Sequence, residues 1–162
     1  MITLTNIADN ISVFPLVIPI SYTYIAITEK SKKALVFLLS FIIVTLSVDF
    51  IKSLSFPSYL NKYFMRPKDA SNCNCLSNDG KAKPNTHGFP SGHMTDVSFF
   101  AVYTILSNSN PPFTLYSINS LIVILTGWAR YYKRCHNVLQ IVGGTVYGSI
   151  CAFGLYYITK KI

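Results

Sequence analysis

Five apolar runs, separated by shorter polar segments, dominate this sequence of 162 residues. The runs cover residues 11–27, 34–51, 94–107, 113–128 and 138–158. A membrane-spanning helix needs about 20 residues, so the third and fourth runs can span only if neighbouring helices carry their polar flanks. Because a backbone in lipid must satisfy its hydrogen bonds internally, the pattern predicts an all-α integral membrane bundle with about five transmembrane helices.

The charge content separates the chain from ordinary soluble domains. Only 12% of its residues are charged and 51% are apolar, whereas a typical soluble domain is about 25% charged. The net charge of +8 predicts a partner that carries phosphate, or the anionic surface of a membrane. The basic residues lie in short clusters between apolar runs, so membrane lipids are the expected partners and nucleic acid is not.

The connections between the runs differ in length. Residues 28–33 and 108–112 are tight turns and, with the C-terminal tail, fall on one side if five helices alternate. The other side receives a long connection between the second and third spans, residues 52–93, and a basic link at 130–136. Loops this long are usually functional. We therefore expect a single domain over residues 1–162, with a long active-site loop that folds over one end.

The first run is expected to stay in the mature protein, because no basic stretch precedes it. Pro15 and Pro19 lie inside this run. Proline removes an intrahelical hydrogen bond, and membrane helices tolerate that loss when neighbours satisfy the carbonyl. A kink is therefore predicted in the first span.

Basic and histidine residues gather on the side of the long connection. Arg66 and His93 lie within this connection, and Arg130 and His136 are the first and last residues of the basic link. Ser91 and Gly92, just before His93, are typical of a helix start, where Ser91 would cap the helix and unpaired N–H groups can bind phosphate. Arginine binds phosphate oxygens in a bidentate way, and histidine can act as nucleophile or proton carrier. We predict that these side chains meet around one anion.

These residues resemble the signature of the type 2 phosphatidic acid phosphatases. That signature has Lys six residues before Arg-Pro, then Pro-Ser-Gly-His, then Ser-Arg with five residues to His and three more to Asp. This chain has Arg66-Pro67, the intact block at residues 90–93, and Arg130 with His136 at the matching spacing. The resemblance extends over roughly residues 59 to 140. It implies an α-helical membrane bundle that dephosphorylates a lipid phosphate without a metal or other cofactor.

Three positions depart from that signature. Tyr59 stands where Lys is expected. Lys62, however, lies one helical turn before Arg66 and could present its ammonium group at the same place. Ala129 replaces the Ser before the second arginine, and Gln140 replaces the Asp. Gln followed by a glycine-rich helix is similar to the dolichyl-diphosphatase branch. The resemblance therefore favours a polyprenyl diphosphate, while phosphatidate-like phosphomonoesters stay open.

The resemblance also implies a role for each residue. His136 would attack phosphorus and form a phosphohistidine, Gln140 would orient its ring, and His93 would protonate the leaving oxygen and then activate water. Gln140 lacks the carboxylate charge that stabilises imidazolium, so slower turnover is expected. The phosphate would be bound by cationic side chains and backbone N–H groups: Arg66, Arg130, Lys62, Ser91 and Gly92.

Two other classes of function stay open from the sequence. Because Tyr59 and Gln140 depart from the signature, the chain could be a catalytically weak or inactive protein that binds lipid phosphates. A purely structural membrane bundle is the third alternative, but it does not explain two arginines and two histidines at matched spacing.

The cysteines on the same side allow two interpretations. Cys73, Cys75 and Cys135, together with histidines, could imitate a zinc site, although a single residue between two cysteines is not usual zinc spacing. A disulfide from Cys135 to Cys73 or Cys75 is favoured if that side is lumenal. Counting Lys and Arg would make the active side cytoplasmic, whereas the resemblance places it on the lumenal or outer face, which we adopt.

Five further residues carry structural predictions. His87 is interpreted as a loop or lipid-interface residue. Lys133 and Arg134 are interpreted as anchors to lipid headgroups. Gly144 and Gly148 have the spacing of small residues that lets two helices pack closely.

Overall fold

The computed structural model describes residues 3–54, 56–70, 73 and 86–160. The predicted all-α class is confirmed, since no strand occurs within these residues and the one isolated bridge pairs Met65 with His87. The helices of this described part are α1 (Leu4–Ser12), α2 (Phe14–Thr28), α3 (Lys32–Ser53), α4 (Ser58–Phe64), α5 (Gly92–Ser107), α6 (Phe113–Tyr132) and α7 (Val138–Thr159).

Each predicted apolar run corresponds to a helix, but the first run is divided. α1 ends at Ser12 and α2 begins at Phe14, with Pro15 in its first turn and Pro19 in its interior. Proline is tolerated in the first turn because that turn has N–H groups without partners in any case. The predicted kink in the first span is thus an interruption at Val13, followed by a new helix start.

Three helical stretches of the described residues are long and apolar enough to cross a membrane: Leu4–Thr28, Lys32–Ser53 and Val138–Thr159. Large apolar side chains on their outer faces are exposed, as at Ile43 and Ile150, which is expected where lipid is the solvent. α5, with 16 residues, is shorter but packs against α2, α3, α6 and α7. The chain is therefore an integral membrane bundle built around α5.

The contact between α5 and α7 is unusually close. A β-carbon added at Gly144 would lie 2.4 Å from the carbonyl oxygen of Ser91, and one added at Gly148 would lie 2.2 Å from that of Thr95. Any side chain at either position would therefore collide with the α5 backbone. The predicted role of the two glycines in helix packing is confirmed.

Short polar contacts order one end of the bundle. The backbone N–H of Arg66 donates to the carbonyl of Thr86 (2.9 Å), and that of Gly88 donates to the carbonyl of Phe64 (2.7 Å). These bonds place the residues after α4 beside those before α5. A disulfide joins Cys73 to Cys135, between α6 and α7, so one of the two predicted pairings is observed.

Candidate active site

A cavity of about 490 Å³ opens at this polar end of the bundle. Arg66, His93, Arg130 and His136 all line it. Residues that are far apart in the sequence are thus brought to one place, as the motif spacing predicted. Their chemical roles stay predictions.

His136 lies in the turn before α7 and is almost fully buried. Its Nδ1 is 3.1 Å from Oε1 of Gln140. Because an amide oxygen can only accept a hydrogen bond, Nδ1 carries the proton and Nε2 is left with its lone pair. Nε2 is 3.5 Å from Nη1 of Arg66. The ring is therefore held in the tautomer that a nucleophilic histidine needs.

The amide nitrogen of Gln140 also makes hydrogen bonds, which no sequence pattern predicts. Nε2 donates to the backbone carbonyls of Tyr63 (3.1 Å), Phe64 (3.2 Å) and Met65 (2.8 Å). A β-carbon added at Gly88 would lie 2.4 Å from Oε1 of Gln140, so Gly88 provides the room for the amide. Gln140 thus links the histidine ring to the end of α4, which leads directly into the first arginine.

The two arginines are held by groups from other parts of the chain. Nη1 of Arg66 donates to the carbonyl of Cys135 (3.1 Å). Arg130 is fully buried, and it donates from Nη1 to the hydroxyl of Ser12 (3.2 Å) and from Nη2 to the carbonyl of Cys73 (2.7 Å). Both residues of the disulfide therefore bind an arginine through their backbone. Neither Ser12 nor these carbonyls carry a sequence signal for such a role.

The start of α5 differs in part from the prediction. Ser91 occupies the N-cap position, but its side chain makes no capping hydrogen bond, and within the described residues its buried hydroxyl has no partner. Its N–H donates to the carbonyl of Gln140 (3.0 Å) and is therefore not available to a phosphate. Gly92 does line the cavity, at the first turn of α5, where N–H groups lack intrahelical partners. Of the two backbone N–H groups predicted to bind phosphate, that of Gly92 stays a candidate and that of Ser91 does not.

Lys62 lies outside the cavity. It was placed near Arg66 by assuming one continuous helix, but α4 ends at Phe64 and Met65 is extended. The exposed side chain of Lys62 instead has its Nζ 4.7 Å from the ring centre of Tyr63. The break in the helix removes the one-turn relationship on which the prediction depended.

Lys52 and His87 line the cavity although the sequence analysis did not assign them to it. Lys52 belongs to the last turn of α3, directly after the second apolar run, and no motif singled it out. Nδ1 of His87 is 2.9 Å from the backbone carbonyl of Lys52. His87 therefore lies in a loop, which was one of its two predicted alternatives, and it also lines the cavity.

The two basic residues between α6 and α7 form ion pairs. Nζ of Lys133 is 2.6 Å from a carboxylate oxygen of Asp9, and only 7% of the Lys133 side chain is exposed. Arg134 pairs with Asp69. For Lys133, the prediction of a headgroup anchor is wrong, because its ammonium is turned inward to α1.

The electrostatics of the cavity favour a neutral imidazole at His136. Burial, followed by the positive charges of Arg66 and Arg130, holds the pKa of His136 well below its ordinary value of 6.5. A charged imidazole is disfavoured there because it would be desolvated beside two cations. At neutral pH His136 is therefore uncharged and has its Nε2 lone pair available.

Part of the cavity wall is apolar. It is formed by Pro15, Leu16 and Pro19 of α2 and by Phe41 of α3. The cavity thus combines a cationic part, at the polar end of the bundle, with a part that lies between two membrane-spanning helices. Such a shape fits an amphiphile with an anionic head.

The comparisons with known proteins agree with this geometry. The family model described as PAP2 superfamily matches residues 32–162. The crystal structure of a transmembrane PAP2-type phosphatidylglycerolphosphate phosphatase from Bacillus subtilis is similar, with a TM-score of 0.69 and 21% sequence identity. The alignment covers 98% of this chain and 78% of that one. No curated protein matches the sequence.

Proposed function

The chain belongs to the PAP2 superfamily, and on that premise we propose that it is a membrane lipid phosphatase. It hydrolyses a phosphomonoester or diphosphate headgroup through a phosphohistidine intermediate. The observation that carries the proposal is the single cavity lined by Arg66, His93, Arg130 and His136 at one end of an apolar bundle. The activity named for the structurally similar Bacillus subtilis protein, a phosphatidylglycerolphosphate phosphatase, supports a lipid phosphate as substrate.

In the first step, Nε2 of His136 attacks phosphorus. A nitrogen–phosphorus bond forms, the bond from phosphorus to the leaving oxygen breaks, and His93 gives that oxygen a proton. The hydrogen bond from Nδ1 to Gln140 (3.1 Å) holds the ring in position during the attack. As charge develops on the ring, the amide oxygen stabilises it less than a carboxylate would, because a neutral acceptor contributes about half of a charged one.

In the second step, His93 accepts a proton from water, and the resulting hydroxide oxygen attacks the phosphohistidine. The nitrogen–phosphorus bond breaks, and His136 returns to its neutral form. Inorganic phosphate is released from a phosphomonoester, and also from a diphosphate when its terminal phosphorus is attacked. One histidine thus serves as acid and then as base, as the reversal of the proton flow requires.

The main task in phosphoryl transfer is to stabilise charge on the phosphate oxygens. Arg66 and Arg130 supply guanidinium groups, and Gly92 places the start of α5 against the same cavity. These groups supply the positive charge that a metal ion would otherwise bring. We therefore include metal independence in the proposal, and we propose no cofactor.

We also propose that the site faces the lumenal or outer side of the membrane. The disulfide between Cys73 and Cys135 supports this orientation, because disulfides form and persist in oxidising compartments. Labelling an introduced exposed cysteine on one side of intact vesicles would test it.

The test is phosphate release from a panel of lipids in detergent: phosphatidic acid, phosphatidylglycerophosphate, and short and long polyprenyl diphosphates. We expect turnover of at least one member, unchanged by EDTA, and a loss of at least about 10³-fold in the His136→Ala variant. Full activity of that variant would refute the nucleophile. Loss of activity in EDTA that added metal restores would refute metal independence, and binding without turnover would favour the inactive lipid-phosphate binder.

A further inference from the structure

We infer that Lys52, at the end of α3, is a further phosphate-binding residue of this cavity. The inference rests on the proposed function, since it adds a cation to the same anion site. Lys52 was not among the residues that the sequence pattern indicated. Its assignment comes from where the fold puts its ammonium group.

The ammonium lies at the start of α5. A β-carbon added at Gly92 would be 3.6 Å from Nζ of Lys52, so the ammonium lies within ordinary contact distance of the first residue of α5. The first turn of a helix carries the positive end of the helix dipole and unpaired N–H groups. A phosphate held there would be within reach of the lysine and of the helix start together.

Among the described residues that line the cavity, cationic side chains outnumber carboxylates. Lys52, Arg66 and Arg130 line one cavity of about 490 Å³, and like charges in a partly buried space repel each other. Two carboxylates, those of Asp49 and Asp96, line the same cavity. Asp49 compensates little, because it is 3.5 Å from Nζ of Lys52 and its side chain is 73% exposed. The side chain of Lys52 is only 19% exposed. An incoming phosphate would relieve this repulsion.

The backbone of Lys52 is held in place by the segment before α5. Nδ1–H of His87 donates to the carbonyl of Lys52 (2.9 Å), since a carbonyl can only accept. The neighbouring residue Thr86 accepts from the N–H of Arg66 (2.9 Å). One short segment therefore positions both Lys52 and Arg66, which fixes the two cations relative to each other.

The experiment compares Lys52→Met with Lys62→Met, because Lys62 is the lysine that the sequence pattern predicted to bind phosphate. Lys52→Arg tests rescue by a conserved charge. Lys32→Met is the matched control, since Lys32 is exposed at the opposite end of the same helix. The probe is inorganic phosphate, and the readout is the rise in melting temperature with phosphate concentration in detergent. KM and kcat for the best lipid of the panel are measured beside it.

We expect Lys52→Met to raise the half-maximal phosphate concentration and KM by about tenfold or more, because one charged hydrogen bond is lost. Lys52→Arg should keep most of the phosphate response, and Lys62→Met and Lys32→Met should follow the wild type. Melting temperatures without phosphate show that each variant folds. An unchanged phosphate response in Lys52→Met, a larger loss in Lys62→Met, or no response in the wild type would each overturn the inference.

The two proposals fail separately. If the wild type binds phosphate through Lys52 but hydrolyses no lipid in the panel, the phosphatase assignment fails and the inference on Lys52 stands. If the wild type hydrolyses lipid and Lys52→Met does so with unchanged KM, the inference fails and the phosphatase assignment stands.

Discussion

The histidines and the arginines of the candidate site are anchored in different parts of the molecule. His93 stands on α5 and His136 just before α7, the two helices whose backbones pack most closely. Arg66 and Arg130 depend on groups outside this pair, among them the hydroxyl of Ser12 on α1. Ser12 also lies outside the part that the family model matches. The groups proposed to react therefore belong to the central helix pair, whereas the charges proposed to bind phosphate depend on peripheral segments.

This difference predicts that substitutions divide into two groups. Changes beside the histidines should lower kcat, because they act on the reacting atoms. Changes beside the arginines should raise KM, because they act on phosphate binding. Two experiments test the division, and a third tests the burial of His136; they are given from the largest expected effect to the smallest.

The first is Gln140→Glu, which adds the negative charge that Gln140 lacks. We expect kcat to fall by about tenfold or more and the melting temperature to drop. The carboxylate lacks the amide N–H groups that now donate to backbone carbonyls, and its buried negative charge would face those carbonyl oxygens instead. Those carbonyls belong to Tyr63, Phe64 and Met65. Kinetics on the best lipid of the panel and thermal melts in detergent measure both effects. A higher kcat in this variant would mean that only the missing charge limits turnover.

The second is Ser12→Ala, which removes the hydroxyl that Arg130 binds. We expect KM to rise by roughly three- to tenfold with kcat nearly unchanged, because Arg130 keeps its bond to the carbonyl of Cys73. Ser21→Ala is a matched control. The hydroxyls of Ser12 and Ser21 both donate to the carbonyl four residues earlier, but Ser21 is exposed on α2. A fall in kcat with constant KM would contradict the division.

The third and smallest effect is on stability against pH. His136 has a pKa near 6.5 in the unfolded chain and a much lower one in the folded protein. Below pH 6.5 the unfolded chain therefore binds a proton that the folded protein does not, so stability falls as the pH decreases and is unaffected above it. Each pH unit should cost at most about 1.4 kcal/mol. Melting temperatures between pH 7.5 and 5.5 should fall less in His136→Gln; equal slopes would show that His136 does not contribute.

Much of the site could be predicted because its residues follow fixed spacings. Pro-Ser-Gly-His at 90–93 and the interval from Arg130 to His136 are local patterns, and helix alternation brings them to one end of the bundle. The helix class followed from the apolar runs alone. Such patterns indicate which chemical groups are present on one side of the membrane.

The residues that were missed, or placed incorrectly, depend on contacts between distant segments. Lys52 reaches the cavity from the end of an apolar helix, and Ser12 reaches Arg130 from α1, at intervals that no motif encodes. Lys62 was assigned by helical periodicity, which fails where α4 ends. Ser91 has the residue type of a helix cap, but tertiary packing directs its N–H to Gln140. These outcomes required the packed structure.

The glycines of α7 have a consequence for how this protein can vary. Since Gly144 and Gly148 bring main chain against main chain, the spacing of α5 and α7 is set by the backbone and not by the size of outward side chains. Residues at exposed positions such as Ile150 can therefore be substituted to suit bilayers of different thickness or lipid content. The candidate active site would keep its geometry while the lipid-facing side chains changed.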